Sequence, residues 1–190
     1  NINIIGDISQ ITQEVSLIDL KYGLNEYLTN QVKTRANQKL KIVVDNKTNK
    51  ETKIEFNFDR ENLELVDNIE IEANENSKAT IIIKYLTCEN IKAFHNGIIR
   101  VNAKQNSNIK IIVVNLMNNM SNNFLAIQNT ILKDAKLNYT IIDFGGKYSI
   151  ANYHSNLDGE NADNRLNTIY LGKETQCFDL NYIAELRGEK

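Results

Sequence analysis

From Lys39 onward apolar and polar residues alternate on both sides of a polar cluster at residues 45–50, and further along the chain the alternation becomes a repeat. The unit is apolar strand, Asn/Ser/Asp turn, apolar strand. It reads IEIEANENSKATIIIKYL at residues 69–86, IIRVNAKQNSNIKIIVVNLM at 98–117 and LAIQNTILKDAKLNYTIIDF at 125–144. The first apolar residue after each turn is Ala79, Ile109 and Leu137, so the unit returns after 30 and then 28 residues. A constant interval of this size means stacked supersecondary units.

Alternation with a period of two marks strands with one buried face. The apolar runs Ile81 to Ile83 and Ile111 to Val114 are β-branched and suit strands with neighbours above and below. The chain has no Pro and only 8 Gly, so Asn and Asp must supply the left-handed turn positions. A propeller needs about 40 residues per blade, and a sandwich has no reason to keep a fixed interval. An all-β fold is therefore expected, a parallel β-helix first and an antiparallel sandwich second.

The first 35 residues form a less regular lead-in to a β-helix core over 36–190. A short extended piece is expected at Ile2 to Ile5. Leu17, Leu20, Leu24 and Leu28 recur at three- and four-residue spacings and predict a short helix within residues 16–30, which Gly23 weakens by about 1 kcal/mol relative to Ala.

Composition removes several functions. At 190 residues the chain fits one domain. A net charge of −2, with Lys and Arg scattered singly among acids, offers no field for nucleic acid. No apolar run approaches the length of a membrane span, and no signal-peptide pattern is present. Two cysteines, Cys88 and Cys177, cannot build a disulfide framework and suit a reducing cytoplasm. The chain begins without Met and stops just after a strand-like stretch, so it is expected to be a piece of a longer protein. An open β-helix end exposes unpaired backbone, which leaves a homodimer open.

Candidate chemistry is sparse. His95 and His154 are the only histidines and lie far apart in polar stretches, so exposed turn or coil-edge positions are expected rather than metal ligation. The oxygen-rich segment at 156–163 lacks the ligand spacing of an EF-hand or a calcium-loaded β-roll and reads as a turn between coils. Asp143-Phe144-Gly145 spells a kinase tripeptide without the other kinase elements, and Gly145-Gly146 reads as the turn after the strand ending at Phe144. The acids Glu75, Asp134, Asp158 and Asp163 fall at turns, so no carboxylate pair for acid–base work is evident. Cys177 has only Lys173 nearby to lower its pKa and is expected as a small buried residue. No catalytic, cofactor-binding or metal-ligating residue is assigned.

The last 40 residues carry a resemblance. The segment from Leu157 to Ala162 (LDGENA) is similar to an L-x-G-E-G-A turn, Ile169-Tyr170-Leu171 to a G-L-Y-L strand, and Gln176-Cys177-Phe178-Asp179 to the Q-x-x-D of the SufB/SufD family of iron–sulfur cluster assembly proteins. Residues 71–82 resemble the family's turn leading into a strand, and the likeness runs over about 35–190. It implies a right-handed parallel β-helix acting as a cytoplasmic, non-enzymatic scaffold. It also implies two partners, a second SufB/SufD-like subunit and the ABC-type ATPase SufC, bound mostly through regions beyond Lys190. The complex would carry a transient iron–sulfur cluster at the subunit interface, held by thiolate, imidazole and carboxylate groups, with none expected on this piece. Family members usually carry a His where this chain has Leu186. The competing class is a β-helical carbohydrate-active or adhesive surface protein.

Overall fold

A computed structural model describes residues 2–6, 11–12, 23–46, 51–173 and 175–188. Its elements are β1 (Ile2–Ile5), β2 (Ile11–Thr12), α1 (Glu26–Arg35), β3 (Gln38–Val44), β4 (Glu51–Phe58), β5 (Glu64–Ala73), β6 (Lys78–Thr87) and β7 (Phe94–Ala103). They continue with β8 (Asn108–Leu116), β9 (Asn122–Ile131), β10 (Lys136–Asp143), β11 (Tyr148–Leu157), β12 (Asp163–Tyr170) and β13 (Cys177–Leu186).

From β3 onward successive strands alternate between two sheets. One sheet runs β1-β4-β6-β8-β10-β12 and the other β13-β11-β9-β7-β5-β3-β2. Every pairing from β3 to β13 is parallel, and only the short β1 and β2 join antiparallel at the edges. The result is a parallel β-solenoid of about five turns, each turn giving one strand to each sheet. The expected all-β solenoid is what the chain forms.

The repeat seen in the sequence is the register itself. Ala79, Ile109 and Leu137 stand directly above one another on β6, β8 and β10. In the facing sheet the interval between stacked residues is 29, 30, 28, 26 and 29 along β3, β5, β7, β9, β11 and β13. The left-handed positions fall to Asn76, Asn106, Asp134 and Asn161, with φ between 54° and 58°. They lie in the β5–β6, β7–β8, β9–β10 and β11–β12 turns, all on one edge of the solenoid, and their side chains bond across coils, as Asn106 Nδ2 does to Asn76 Oδ1 at 2.7 Å.

The core lies between the sheets. Ile81, Ile83, Ile109, Ile111 and Val113 point inward and are buried, each worth roughly 1.5–3 kcal/mol relative to exposure. The continuous apolar runs are covered on one face only. Ile111 and Val113 are buried while Ile112 and Val114 between them face outward and are half-buried.

The helix differs from the sequence expectation. It spans Glu26–Arg35, with Asn25 Oδ1 accepting from the Leu28 N–H at 2.8 Å as N-cap. Leu17 and Leu20 lie outside the described residues, and Gly23 precedes the helix. A polar cap and two basic residues in the last turn, Lys33 and Arg35, set its limits better than leucine spacing does. Its buried Val32 packs on Val66, Ile98 and Ala126, which project outward from β5, β7 and β9. Asn96 Nδ2 pins it by donating to Leu28 O at 2.9 Å and Gln31 Oε1 at 2.7 Å.

Candidate functional site

Parallel stacking brings together inward-facing polar residues from four coils. Leu65, His95, Asn123, Ser149 and Phe178 occupy equivalent positions on β5, β7, β9, β11 and β13. Along this column His95 Nε2 lies 2.7 Å from Asp67 Oδ1, and its Nδ1 lies 2.6 Å from Asn123 Oδ1. Asn123 Nδ2 donates to Ser149 Oγ at 3.0 Å, and Ser149 Oγ donates to Asp143 Oδ2. The other sheet closes the network at both ends. Tyr85 OH donates to Asp67 Oδ2 at 3.1 Å, and Asn115 Nδ2 donates to Asp143 Oδ1 at 2.8 Å.

Solvent does not reach this network, since Asp67, His95 and Ser149 have no exposed surface. Burial pushes the Tyr85 hydroxyl well above its ordinary range, and the Asp67 carboxylate adds to this, so Tyr85 stays a donor. Burial also raises the Asp143 carboxyl, against hydrogen bonds from Ser149, Asn115 and the Gly145 N–H. Gly97 stacks on Asp67, and a Cβ there would stand 2.3 Å from Asp67 Oδ1 and 2.6 Å from His95 Nε2. Only glycine leaves room for the pair. A closed network of this kind cannot receive a substrate; it can specify register, because a slip of one residue would turn every partner to the other face.

A second group lies on the outer face of the same sheet. Glu72 accepts from Lys104 Nζ at 2.7 Å and pairs with Lys41 Nζ at 3.0 Å, while Glu70 meets Lys41 at 3.2 Å and Arg100 at 3.2 Å. Hydrogen bonds from Lys104 first and Lys41 second hold the Glu72 carboxyl below its ordinary 4.5. Its stabilising contribution is therefore present above pH 4.5 and is lost as the pH falls through the lowered native value. Exposure limits that contribution to about 1 kcal/mol. Urea unfolding should show Glu72→Gln less stable than the parent at pH 7, with the gap closing as the pH falls below the ordinary 4.5 and through the lowered native value.

The sequence-predicted positions fall as follows. His95 is in the core and not at a coil edge, because a polar neighbour one coil away on each side satisfies it. His154 projects outward from β11 yet is 1% exposed, with Nε2 2.9 Å from Glu185 Oε1. Cys177 is exposed at the start of β13, where its side of the strand faces solvent, and Cys88 is exposed after β6. One cysteine lies in a turn and the other on the last strand, and they share no cluster. Residues 158–162 form the β11–β12 turn, and Gly145-Gly146 form the β10–β11 turn, with Gly146 at φ +91°. A Cβ on Gly145 would come within 2.3 Å of Met117 O.

Asp67, Asn115, Asn123 and Ser149 carried no signal as single residues, and Asp143 stood out only within a kinase-like tripeptide; the cross-coil register is what reveals them together. The Glu70/Glu72 pair was also missed, and its carboxylates are neutralised by cations rather than held for acid–base work. Among the described residues no group of three or more His, Cys, Asp or Glu side chains is arranged to hold a metal ion.

Two facing parallel sheets, a closed interior and a row of left-handed Asn/Asp turns define a β-helix protein of the flattened, two-sheet class. The model of the SUF system iron–sulfur cluster assembly SufBD core domain matches residues 56–190, more than two thirds of the chain. The chain belongs to this SufB/SufD family. No curated protein and no solved structure matches it. Leu186, where family members usually carry His, ends β13 and is 83% exposed.

Proposed function

We propose that this chain is a non-enzymatic scaffold subunit of a cytoplasmic SUF complex, acting with a second SufB/SufD-like subunit and a SufC-type ATPase. The observation that carries this reading is the family match laid over residues 56–190, which cover the solenoid from the end of β4 onward. A rigid stack suits a scaffold. Each coil is fixed by hydrogen bonds along two ladders and by a shared core, so partners bound at separate places keep a set separation.

The iron–sulfur cluster is cargo in this reading. Assembling it calls for thiolate, imidazole and carboxylate groups together. The described residues offer no such set: Cys88 and Cys177 are dispersed, and the His95 ring nitrogens already face Asp67 and Asn123. Cluster ligands would come from elsewhere in the complex. Among the described residues no helix is long and apolar enough to cross a membrane.

The test is to tag the protein at its own gene and isolate it with its neighbours under reducing, anaerobic conditions. It should co-purify with a SufC-type ATPase and a second SufB/SufD-like protein, and its depletion should lower the activity of iron–sulfur enzymes. Purification free of both, together with unchanged iron–sulfur enzyme activity on depletion, would remove this reading.

A further inference from the structure

The outward face of the six-stranded sheet is built differently from that of its partner sheet. On the seven-stranded sheet, the outward apolar residues Val66, Ile98 and Ala126 are covered by α1 through Val32. On the six-stranded sheet Ile82 stacks beside Ile112, Val114 beside Ile142, and Ile142 beside Ile169, all on the outward side. Leu116 continues the patch at 45% exposure, and Ile169 is 51% exposed. The described residues place no helix on this face.

Charge borders the patch on one side. Lys78, Asn108 and Lys136 stand in register across β6, β8 and β10, and Lys110 lies two residues further along β8. All three lysines are exposed and have no acidic partner among the described residues. The acids that share this face are already engaged: Glu55 with Lys84 at 3.1 Å, Glu51 with Lys53 at 3.1 Å and Asp163 with Arg165 at 3.3 Å. The surface therefore presents a diagonal apolar patch, from Ile82 and Ile112 to Val114, Ile142 and Ile169, with Lys84 and Thr140 at the remaining register positions. Exposed lysines run along one edge, where Asp163 beside Lys136 is taken up by Arg165.

We propose that this face docks an amphipathic helix of a partner protein, apolar on the side it buries and acidic along the flank that meets Lys78, Lys110 and Lys136. Parallel sheets in proteins usually have both faces covered, and α1 shows how this fold covers one of them. Four strands at about 4.8 Å spacing span roughly 15 Å, which a helix of about ten residues matches at 1.5 Å per residue. α1 itself has 10 residues. The acidic flank selects the partner, since a basic helix would place like charges against three free lysines. This inference stands on the sheet's own surface and does not depend on the assembly reading.

Two synthetic helical peptides of about fourteen residues test it, with the same Leu face at i, i+3, i+4 and i+7 and either Glu or Lys on the flank. Fluorescence anisotropy with the full chain should show the Glu peptide binding at least about tenfold more tightly than the Lys peptide. Lys110→Glu combined with Lys136→Glu should reverse that preference, and because both positions are exposed the fold should be undisturbed. Val114→Asp should abolish binding, with far-UV circular dichroism confirming the β signal. Equal binding of the two peptides, or a preference that survives the charge reversal, would overturn the proposal. So would concentration-dependent dimerisation lost on Val114→Asp, which would assign the face to a second copy. Binding to phosphatidylserine vesicles in place of the peptide would assign it to a membrane surface.

Discussion

Asp67→Ala is expected to lower the stability of the chain by about 3–5 kcal/mol, the largest loss of any single side-chain truncation in the buried network. Asp67 is the one group that joins the two sheets at this level: Oδ1 meets His95 on its own sheet, and Oδ2 accepts from Tyr85 on the other. Removing it strands two polar groups where water cannot replace it. The Tyr85 ring stacks on His95 at 4.0 Å and on Phe56 at 5.2 Å, so neither orphan can swing away to solvent without breaking the packing. Asp67→Asn keeps the shape and one hydrogen bond and should lose only about 1–2 kcal/mol. Combining Asp67→Ala with His95→Leu should recover part of the loss, because an apolar pair tolerates burial better than a stranded imidazole. Urea unfolding followed by tyrosine fluorescence suits a chain with 8 Tyr and no Trp. A loss under 1 kcal/mol for Asp67→Ala would mean the network only fills space.

That network shows where sequence reading stops. The period was legible because the Ile- and Val-rich strands and the left-handed turns recur nearly in step, and the stacking of Ala79, Ile109 and Leu137 follows from counting alone. The buried column could not be counted in the same way. Its members His95, Asn123 and Ser149 stand 28 and 26 residues apart, close to the counted interval, but each is a different residue type and the position below them is Leu65, so no recurring letter marks the column. Read singly, His95 sits among polar letters and looks exposed. It is the stacked Asn123 and the nearby Asp67, both remote in sequence, that make its burial affordable. The helix was half legible for a related reason: only Thr29 and Val32 are buried, too few to leave a periodic stripe. Its start is written in the Asn25 cap. Cys177 deceived in the opposite direction, because a small residue beginning a strand gives no sign of which face it takes.

The second large effect concerns a glycine whose role is space and not backbone conformation. Gly159→Ala should lower stability by about 3 kcal/mol, although its φ lies outside the left-handed region. A Cβ there would fall 1.9 Å from Lys133 N and 2.3 Å from Leu132 C, both backbone atoms of the turn one coil below. Backbone cannot rotate aside as a side chain can. The β11–β12 turn would have to lift, weakening the bonds that hold it down: Asp158 N to Ile131 O at 2.9 Å, Gly159 N to Ile131 O at 3.2 Å and Asp134 N to Glu160 O at 2.9 Å. Each is worth about 1 kcal/mol net. The coil above is equally close, since a Cβ on Gly188 would meet Gly159 O at 2.6 Å. Gly172→Ala is the control: its nearest neighbour is the Phe178 ring at 3.2 Å, which can shift, so its cost should stay below about 1 kcal/mol. Equal urea midpoints for the two alanine variants would show that the turns are not in stacking contact. A wide gap would show that the glycine of the Leu157–Ala162 turn, part of the motif that first pointed to the SufB/SufD family, is required by the closeness of successive coils and needs no chemistry of its own to explain it.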